Sequence, residues 1–255
     1  MSTTDTPVWA LEARGLVKRY GQLVATDHAD LCVAKGELHA LIGPNGAGKT
    51  TLIKQLSGEI FSDKGQLHFN GEDITRMPIH QRAHRGLVRS YQITSIFEEM
   101  TVADNVALAV QALQGHSFRF WRPAATDRRL RDPAMHCLER VRLGHRAAVL
   151  AGNLAHGEKR QLEIAMTLAA EPSMLLLDEP MAGMSPEESG QMVELLQALK
   201  GEHSILLVEH DMDAVFSLSD RLTVLVYGKP LVTGTAAEIR NDQRVREAYL
   251  GEEAA

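Results

Sequence analysis

Apolar residues in this chain fall into two patterns that alternate along its length. Several short runs are almost wholly apolar: 38–42, 174–177, 205–208 and 222–226. They have strand length, and runs of this kind suit strands buried on both faces of a parallel sheet. Residues 8–35 instead alternate apolar and polar in short pieces, which predicts antiparallel strands with turns, one at Tyr20-Gly21-Gln22. Residues 65–71 predict a strand ending in an Asn-Gly turn, 86–91 a further strand, and 222–227 with 230–233 a hairpin around Gly228-Lys229.

Helical spacing marks the segments between. Val102, Val106, Ala109 and Leu113 give one face over 101–114, with Thr101 as N-cap and Asp104 in the first turn. Further helices are predicted at 78–85, 134–142, 154–170, 186–200 with Gly201 as its stop, 213–219, and from Ala236 onward. Residues 95–155 thus read as mostly helical between two strand-rich halves. The whole is an α/β pattern.

The link after the run at 38–42 carries the first chemical signal. Gly43, Pro44, Asn45, Gly46, Ala47, Gly48, Lys49 and Thr50, followed by Thr51, fit G-x-x-x-x-G-K-[ST] without a substitution. The loop lies between a predicted strand and a predicted helix, the context this motif requires. Glycines let backbone amides approach phosphate, and the helix start adds free amides and a positive dipole end. Lys49 would reach the β- and γ-phosphates, and the Thr50 hydroxyl would help hold magnesium. The chain is therefore expected to bind a nucleoside triphosphate.

The second signal closes the run at 174–177, which delivers Asp178 and Glu179 at a strand end. Asp178 is placed to hold the magnesium shell and Glu179 to polarise an attacking water. Glu209, His210 and Asp211 follow another buried strand, a position that favours a site role. Tyr20 supplies either an adenine-stacking ring or an ordinary half-buried strand tyrosine; spacing leaves both open. Gln92, where a strand runs out, is open between a site residue and a loop glutamine. His156 has no second ligand at i+4 and reads as a loop residue. The aromatics Phe118, Phe120 and Trp121, with Arg128, Arg129 and Arg131 beyond them, read as a surface segment whose rings fold back onto the domain, with contact to a membrane surface or a partner as the alternative.

Composition narrows the classes. Of 255 residues, 44% are apolar, enough for a substantial core, and the formal net charge of -6 argues against a general nucleic-acid binder. The two cysteines, Cys32 and Cys137, show neither metal spacing nor a disulfide framework, which fits a reducing cytosol. The opening residues have no signal-peptide pattern, and no apolar run approaches the roughly 20 residues of a membrane span. Attachment to a membrane would need a partner.

Together these pieces resemble the ATP-binding subunit of ABC transporters, over 11–251. Residues 43–50 match the Walker A loop and 174–178 Walker B; Tyr20, Gln92, Glu179 and His210 match the adenine-stacking aromatic, the Q-loop glutamine, the catalytic glutamate and the switch histidine. The signature loop, usually Leu-Ser-Gly-Gly-Gln, is matched by Leu154, Ala155, His156, Gly157 and Glu158. Within the family, the runs 153–157, 160–165, 208–212 and 248–252 resemble the branched-chain amino acid uptake ATPases, in particular the longer of that system's two ATPase subunits.

The resemblance implies a phosphate-loop, RecA-like core with an antiparallel β subdomain and a helical signature subdomain. One cassette would run over 8–250: strands and Walker A in 8–92, a helical part in 93–158, the second half of the core in 159–235 and a helical tail in 236–255. It implies ATP and Mg2+, with Thr50, Gln92 and Asp178 at the metal. It implies a second ATPase subunit whose signature loop completes each ATP site, permease subunits in the membrane docking beyond Gln92 near Ile93, Ile96 and Phe97, and indirectly a solute-binding protein. The place is peripheral, on the cytoplasmic face of the inner membrane. The family's signature serine is Ala155 here, and its D-loop aspartate is Ser185, at the end of Ala182-Gly183-Met184-Ser185. Urea or amide cargo is the alternative within the family. A soluble ABC ATPase of DNA repair or translation would carry fused units or a coiled-coil insert, and a phosphate-loop kinase would lack the signature loop.

Overall fold

The computed structural model describes residues 8–90, 96–114 and 127–250. The chain opens with a long hairpin, β1 (Trp9–Tyr20) and β2 (Leu23–Ala34), followed by β3 (Leu38–Ile42) and α1 (Lys49–Ser57). Next come β4 (Lys64–Phe69), β5 (Glu72–Asp73), α2 (Ile79–His84) and β6 (Leu87–Arg89). The helices α3 (Val102–Gln114), α4 (Arg128–Arg140) and α5 (His156–Leu168) lead to β7 (Met174–Asp178), α6 (Pro186–Leu199) and β8 (Ser204–Val208). α7 (Met212–Leu218), β9 (Arg221–Val226), β10 (Lys229–Gly234), α8 (Ala236–Asn241) and α9 (Gln243–Leu250) complete it.

Two sheets result. One is antiparallel, in the order β2-β1-β4-β5; the other runs β10-β9-β3-β8-β7-β6 and is parallel except for β10. The apolar runs form the centre of the second sheet, and their period of two divides them between cores. Leu175, Leu177, Ile205 and Leu207 face a cluster shared with α3, α4, α5 and α6. Met174, Leu176, Leu206 and Val208 face a second cluster with α1 and the antiparallel sheet. Both faces are covered, which is why these strands show no alternation. A third cluster joins Ala40 and Ile42 of β3 to β9, α7, α8 and α9.

Two local readings change. The fragments expected over 8–35 are two continuous strands of 12 residues. Their register shifts between Ala13 and Leu16, beside Gly15 at φ 59°, and such bulges break the alternation that a sequence pattern follows. The helix expected at 134–142 begins at Arg128, capped by the Asp127 carboxylate, which accepts from Arg129 N–H at 3.0 Å. Pro133 lies inside it and has no N–H to donate to the Arg129 carbonyl. Arg128, Arg129 and Arg131 are therefore helical, and Arg131 pairs with Asp104 at 2.9 Å. Phe118, Phe120 and Trp121 lie outside the described residues.

Arg82 closes the helix that follows the phosphate loop, a role the sequence did not suggest. Its guanidinium is buried and donates to the carbonyls of Gln55 and Leu56 at 2.8 and 2.7 Å, at the C-terminus of α1, and to Ile74 and Met77. Burial lowers its pKa to about 10. The helix dipole and unpaired end carbonyls suit a cation there.

Candidate nucleotide site

Residues 43–48 pass from the carboxyl end of β3 into α1 through a backbone that requires glycine. Gly43, Gly46 and Gly48 have φ of 152°, 74° and 101°. A Cβ on Gly43 would lie 2.1 Å from the Leu225 carbonyl oxygen, and one on Gly48 2.2 Å from that of Ala25. The loop is thus packed against β9 and β2 from behind. The turn after β9 adds a clamp: Gly228 N–H donates to Ala47 O at 2.8 Å, and Asp27 N–H donates to Gly228 O at 2.9 Å. Lys49 is buried, and its ammonium donates to Gly43 O at 2.5 Å and Pro44 O at 3.0 Å, so its charge stands within the loop. Asn45, Gly46 and Thr50 are exposed, and Thr51 is half-buried.

The second acid-bearing strand lies two places away. β8 separates β3 from β7, all three parallel, so their carboxyl ends share one sheet edge. Asp178 ends β7, buried, and α1 packs on that strand. Its Oδ2 accepts from Arg89 Nη2 at 2.7 Å, and Arg89 Nη1 also donates to Glu59. Glu179 follows at φ 51°, its N–H donating to Val208 O at 2.8 Å. Its Oε1 stands 2.8 Å from His210 Nε2, just beyond the end of β8. Asp178, Glu179 and His210 thus lie at one sheet edge with the loop after β3.

The residues matching the signature loop belong to another neighbourhood. Leu154 packs in the helical cluster, whereas Ala47 packs in the cluster of the antiparallel sheet. Ala155 is the N-cap of α5 without a capping side chain, while Glu158 reaches back to accept from Ala155 N–H at 2.9 Å. Arg146 donates to Glu158 at 3.2 Å. His156 Nε2 lies 3.1 Å from Ala182 O, and Gly157 N–H donates to Glu188 Oε1 at 3.1 Å. Ser185, at the D-loop aspartate position, caps α6 by accepting from Glu188 N–H at 3.3 Å, and Glu188 accepts from Ser185 N–H at 2.9 Å. The Ser185 and Gly157 bonds lower the pKa of Glu188. The His156–Ala182 and Gly157–Glu188 contacts tie the 154–158 segment to the 182–188 turn of the same chain.

Tyr20 ends β1 and is 49% exposed, with the Lys18 ammonium 5.8 Å from its ring centroid, so packing gives its ring little burial. Gln92 and Ile93 lie outside the described residues; Phe97 is 51% exposed and Ile96 is packed against the helical cluster. Among the described residues no group of three or more His, Cys, Asp or Glu could hold a metal ion by itself. Magnesium is usually held by one or two protein oxygens together with substrate phosphates, and Thr50 at the start of α1 and Asp178 at the end of β7 carry side-chain oxygens. Arg89 and Glu59 did not stand out in the sequence; Glu209 did, by its place at a strand end, but without a role of its own. For Arg89, the available signal was a cation on the alternating register of a short buried strand.

The strand–loop–helix cradle and the acid-ended neighbouring strand define a phosphate-loop NTPase on an α/β fold. A family model for the ABC transporter matches residues 26–182, and one for the branched-chain amino acid ATP-binding cassette transporter matches 229–255. The chain belongs to the ABC transporter ATP-binding family, whose members bind ATP and couple its hydrolysis to transport.

Similar curated proteins include the high-affinity branched-chain amino acid transport ATP-binding protein BraF of Pseudomonas aeruginosa, 40% identical over 95% of this chain and 98% of that one. LivG of Escherichia coli, of the same description, is 39% identical with the same coverage. The lipopolysaccharide export system ATP-binding protein LptB of Haemophilus influenzae is 33% identical over 95% of this chain and 98% of that one. Among solved structures, the ADP conformation of an ATP-binding cassette of an ABC transporter superposes with a TM-score of 0.85 at 30% identity, covering 95% of this chain and 99% of that one. No helix among the described residues is long and apolar enough to cross a membrane.

Proposed function

We propose that this chain powers an importer of branched-chain amino acids by hydrolysing ATP at the sheet edge formed by β3, β8 and β7. The observation that carries the reading is the convergence there of the glycine loop, Asp178 and the Glu179–His210 pair. In this reading the loop amides of 43–50 and the Lys49 ammonium bind the β- and γ-phosphates, Thr51 supports them, and Tyr20 stacks on adenine. Thr50 and Asp178, with Gln92, would hold Mg2+, which neutralises phosphate charge when bound. Glu179 accepts the proton of the attacking water, and His210 fixes its carboxylate at 2.8 Å.

The site is completed by a second cassette subunit, the same or a companion chain, through its residues corresponding to Leu154, Ala155, His156, Gly157 and Glu158. Residues 8–250 act as one cassette domain, with the 93–158 helical part as its signature subdomain and the surface near Ile96 and Phe97 meeting the permease. The chain then sits peripherally on the cytoplasmic face of the inner membrane. A solute-binding protein feeds the assembly, and nucleic acid plays no part. End-to-end similarity to BraF and LivG and the match over 229–255 support the cargo.

Similarity to LptB shows how far related cassettes serve other loads, so the cargo has its own test. Deleting the gene is expected to abolish high-affinity uptake of labelled leucine, and a Lys49→Ala copy is expected not to restore it. Leucine uptake that persists while urea or another solute is lost would overturn the cargo and leave the ATPase in place.

A further inference from the structure

Glu209 immediately precedes His210, and the reaction described above does not use its side chain. It is 4% exposed, at the carboxyl end of β8. Its two oxygens go to different segments. Oε1 accepts from Met181 N–H at 2.8 Å, two residues beyond Glu179, and Oε2 accepts from His210 N–H at 3.0 Å. One planar group therefore spans the turn that bears Glu179 and the loop that bears His210. Burial pushes the Glu209 carboxyl up, while amide donors from Met181, His210 and Asp211 pull it down. The group is held in place by the backbone it bridges.

That turn needs holding. Glu179 has a left-handed backbone, and a non-glycine residue persists there only where its surroundings over-determine it. The Glu179 N–H bond to Val208 O pins the turn to β8 before the catalytic side chain, and the Met181 bond to Glu209 pins it after. The Glu179–His210 distance of 2.8 Å is set by both segments together.

We propose that Glu209 is a positioning residue for hydrolysis: its carboxylate keeps the Glu179 turn and the His210 loop in register. The proposal rests on Glu179 and His210 acting as described under the proposed function. Two acceptor oxygens are required. Glutamine offers one oxygen and turns an NH2 group toward the other backbone N–H, whereas aspartate keeps both oxygens on a shorter stem. Misplacing the reacting groups by about 1 Å lowers turnover steeply and leaves ground-state binding largely intact.

The test uses the full chain and compares kcat and KM for ATP in wild type, Glu209→Gln, Glu209→Asp, His210→Ala and the His210→Ala/Glu209→Gln double variant, with melting curves alongside. Glu209→Gln is expected to lower kcat about tenfold or more with KM within about twofold, and Glu209→Asp to fall between it and wild type. In the His210→Ala background, Glu209→Gln is expected to change kcat by less than about twofold, because residues acting as a unit are not additive. Multiplying effects, a loss confined to KM, or wild-type kcat in Glu209→Gln overturns the proposal. If Glu209→Gln does not fold, Glu209→Asp decides: reduced kcat at constant KM supports it and wild-type kcat overturns it. Wild-type turnover in His210→Ala contradicts the underlying assignment first, and the proposal with it.

Discussion

Glu179 Oε1 and His210 Nε2 stand 2.8 Å apart, although the two residues leave different strands and Glu179 does so with a left-handed backbone. The contact follows from topology. β7 and β8 are parallel neighbours, with Asp178 paired to Val208, so the residues after them emerge side by side. The Glu179 N–H then bonds back to Val208 O. A carboxylate held this way has one oxygen fixed by the imidazole and is directed by backbone that the sheet has already placed. In a general base, such placement precedes any question of pKa.

Arg89 forms a buried ion pair with Asp178, their side chains only 4% and 2% exposed, and reaches out to Glu59 at the surface. Removing one member of a buried pair leaves the other charge without compensation. Arg89→Ala is expected to destabilise the fold by about 3–5 kcal/mol, read from denaturant unfolding. Arg89→Lys should recover only part, because a point charge cannot fork to both carboxylates. Wild-type stability in Arg89→Ala would show that Asp178 does not depend on this partner.

The phosphate loop separates two kinds of glycine. Gly46 has φ 74° with nothing within 4 Å of an added Cβ, whereas at Gly48 that Cβ would meet the Ala25 carbonyl at 2.2 Å. Gly46→Ala should therefore cost only the left-handed backbone penalty, about 1–2 kcal/mol. Gly48→Ala should cost more and weaken ATP binding as well, because the loop must move off β2. Melting curves and nucleotide titrations of the two variants check the order; equal losses would contradict the packing.

Ala155 begins α5 without a capping oxygen, while Glu158 already supplies the other half of a capping box. Ala155→Ser should complete it and raise stability by about 0.5–2 kcal/mol without nucleotide, measured by thermal or denaturant unfolding. An unchanged midpoint would mean that the helix start is satisfied by other groups.

Much of this was legible in the chain. The unbroken runs at 174–177 and 205–208 are buried strands because both faces of the parallel sheet are covered, and local pattern records that directly. The glycine loop was legible because its chemistry is contiguous. What escaped was either hidden by bulges, as in β1 and β2, or assembled from distant residues. Arg89 meets an acid 89 positions away, and Glu209 reaches an amide 28 positions away. The helix expected at 134–142 starts earlier, at Arg128, with Pro133 inside it, a residue that local pattern does not favour in a helix interior. At Ser185 the sequence registered a missing aspartate; the structure shows a helix cap.

If ATP bound at the glycine loop is hydrolysed with Glu179 as base, ATP binding and phosphate release by Glu179→Gln must part company, measured beside wild type and Lys49→Ala. Glu179→Gln should bind ATP as wild type does and lose turnover by about 10²–10⁴-fold, the contribution of a general base. Lys49→Ala should lose binding itself. Wild-type phosphate release from Glu179→Gln would contradict the account.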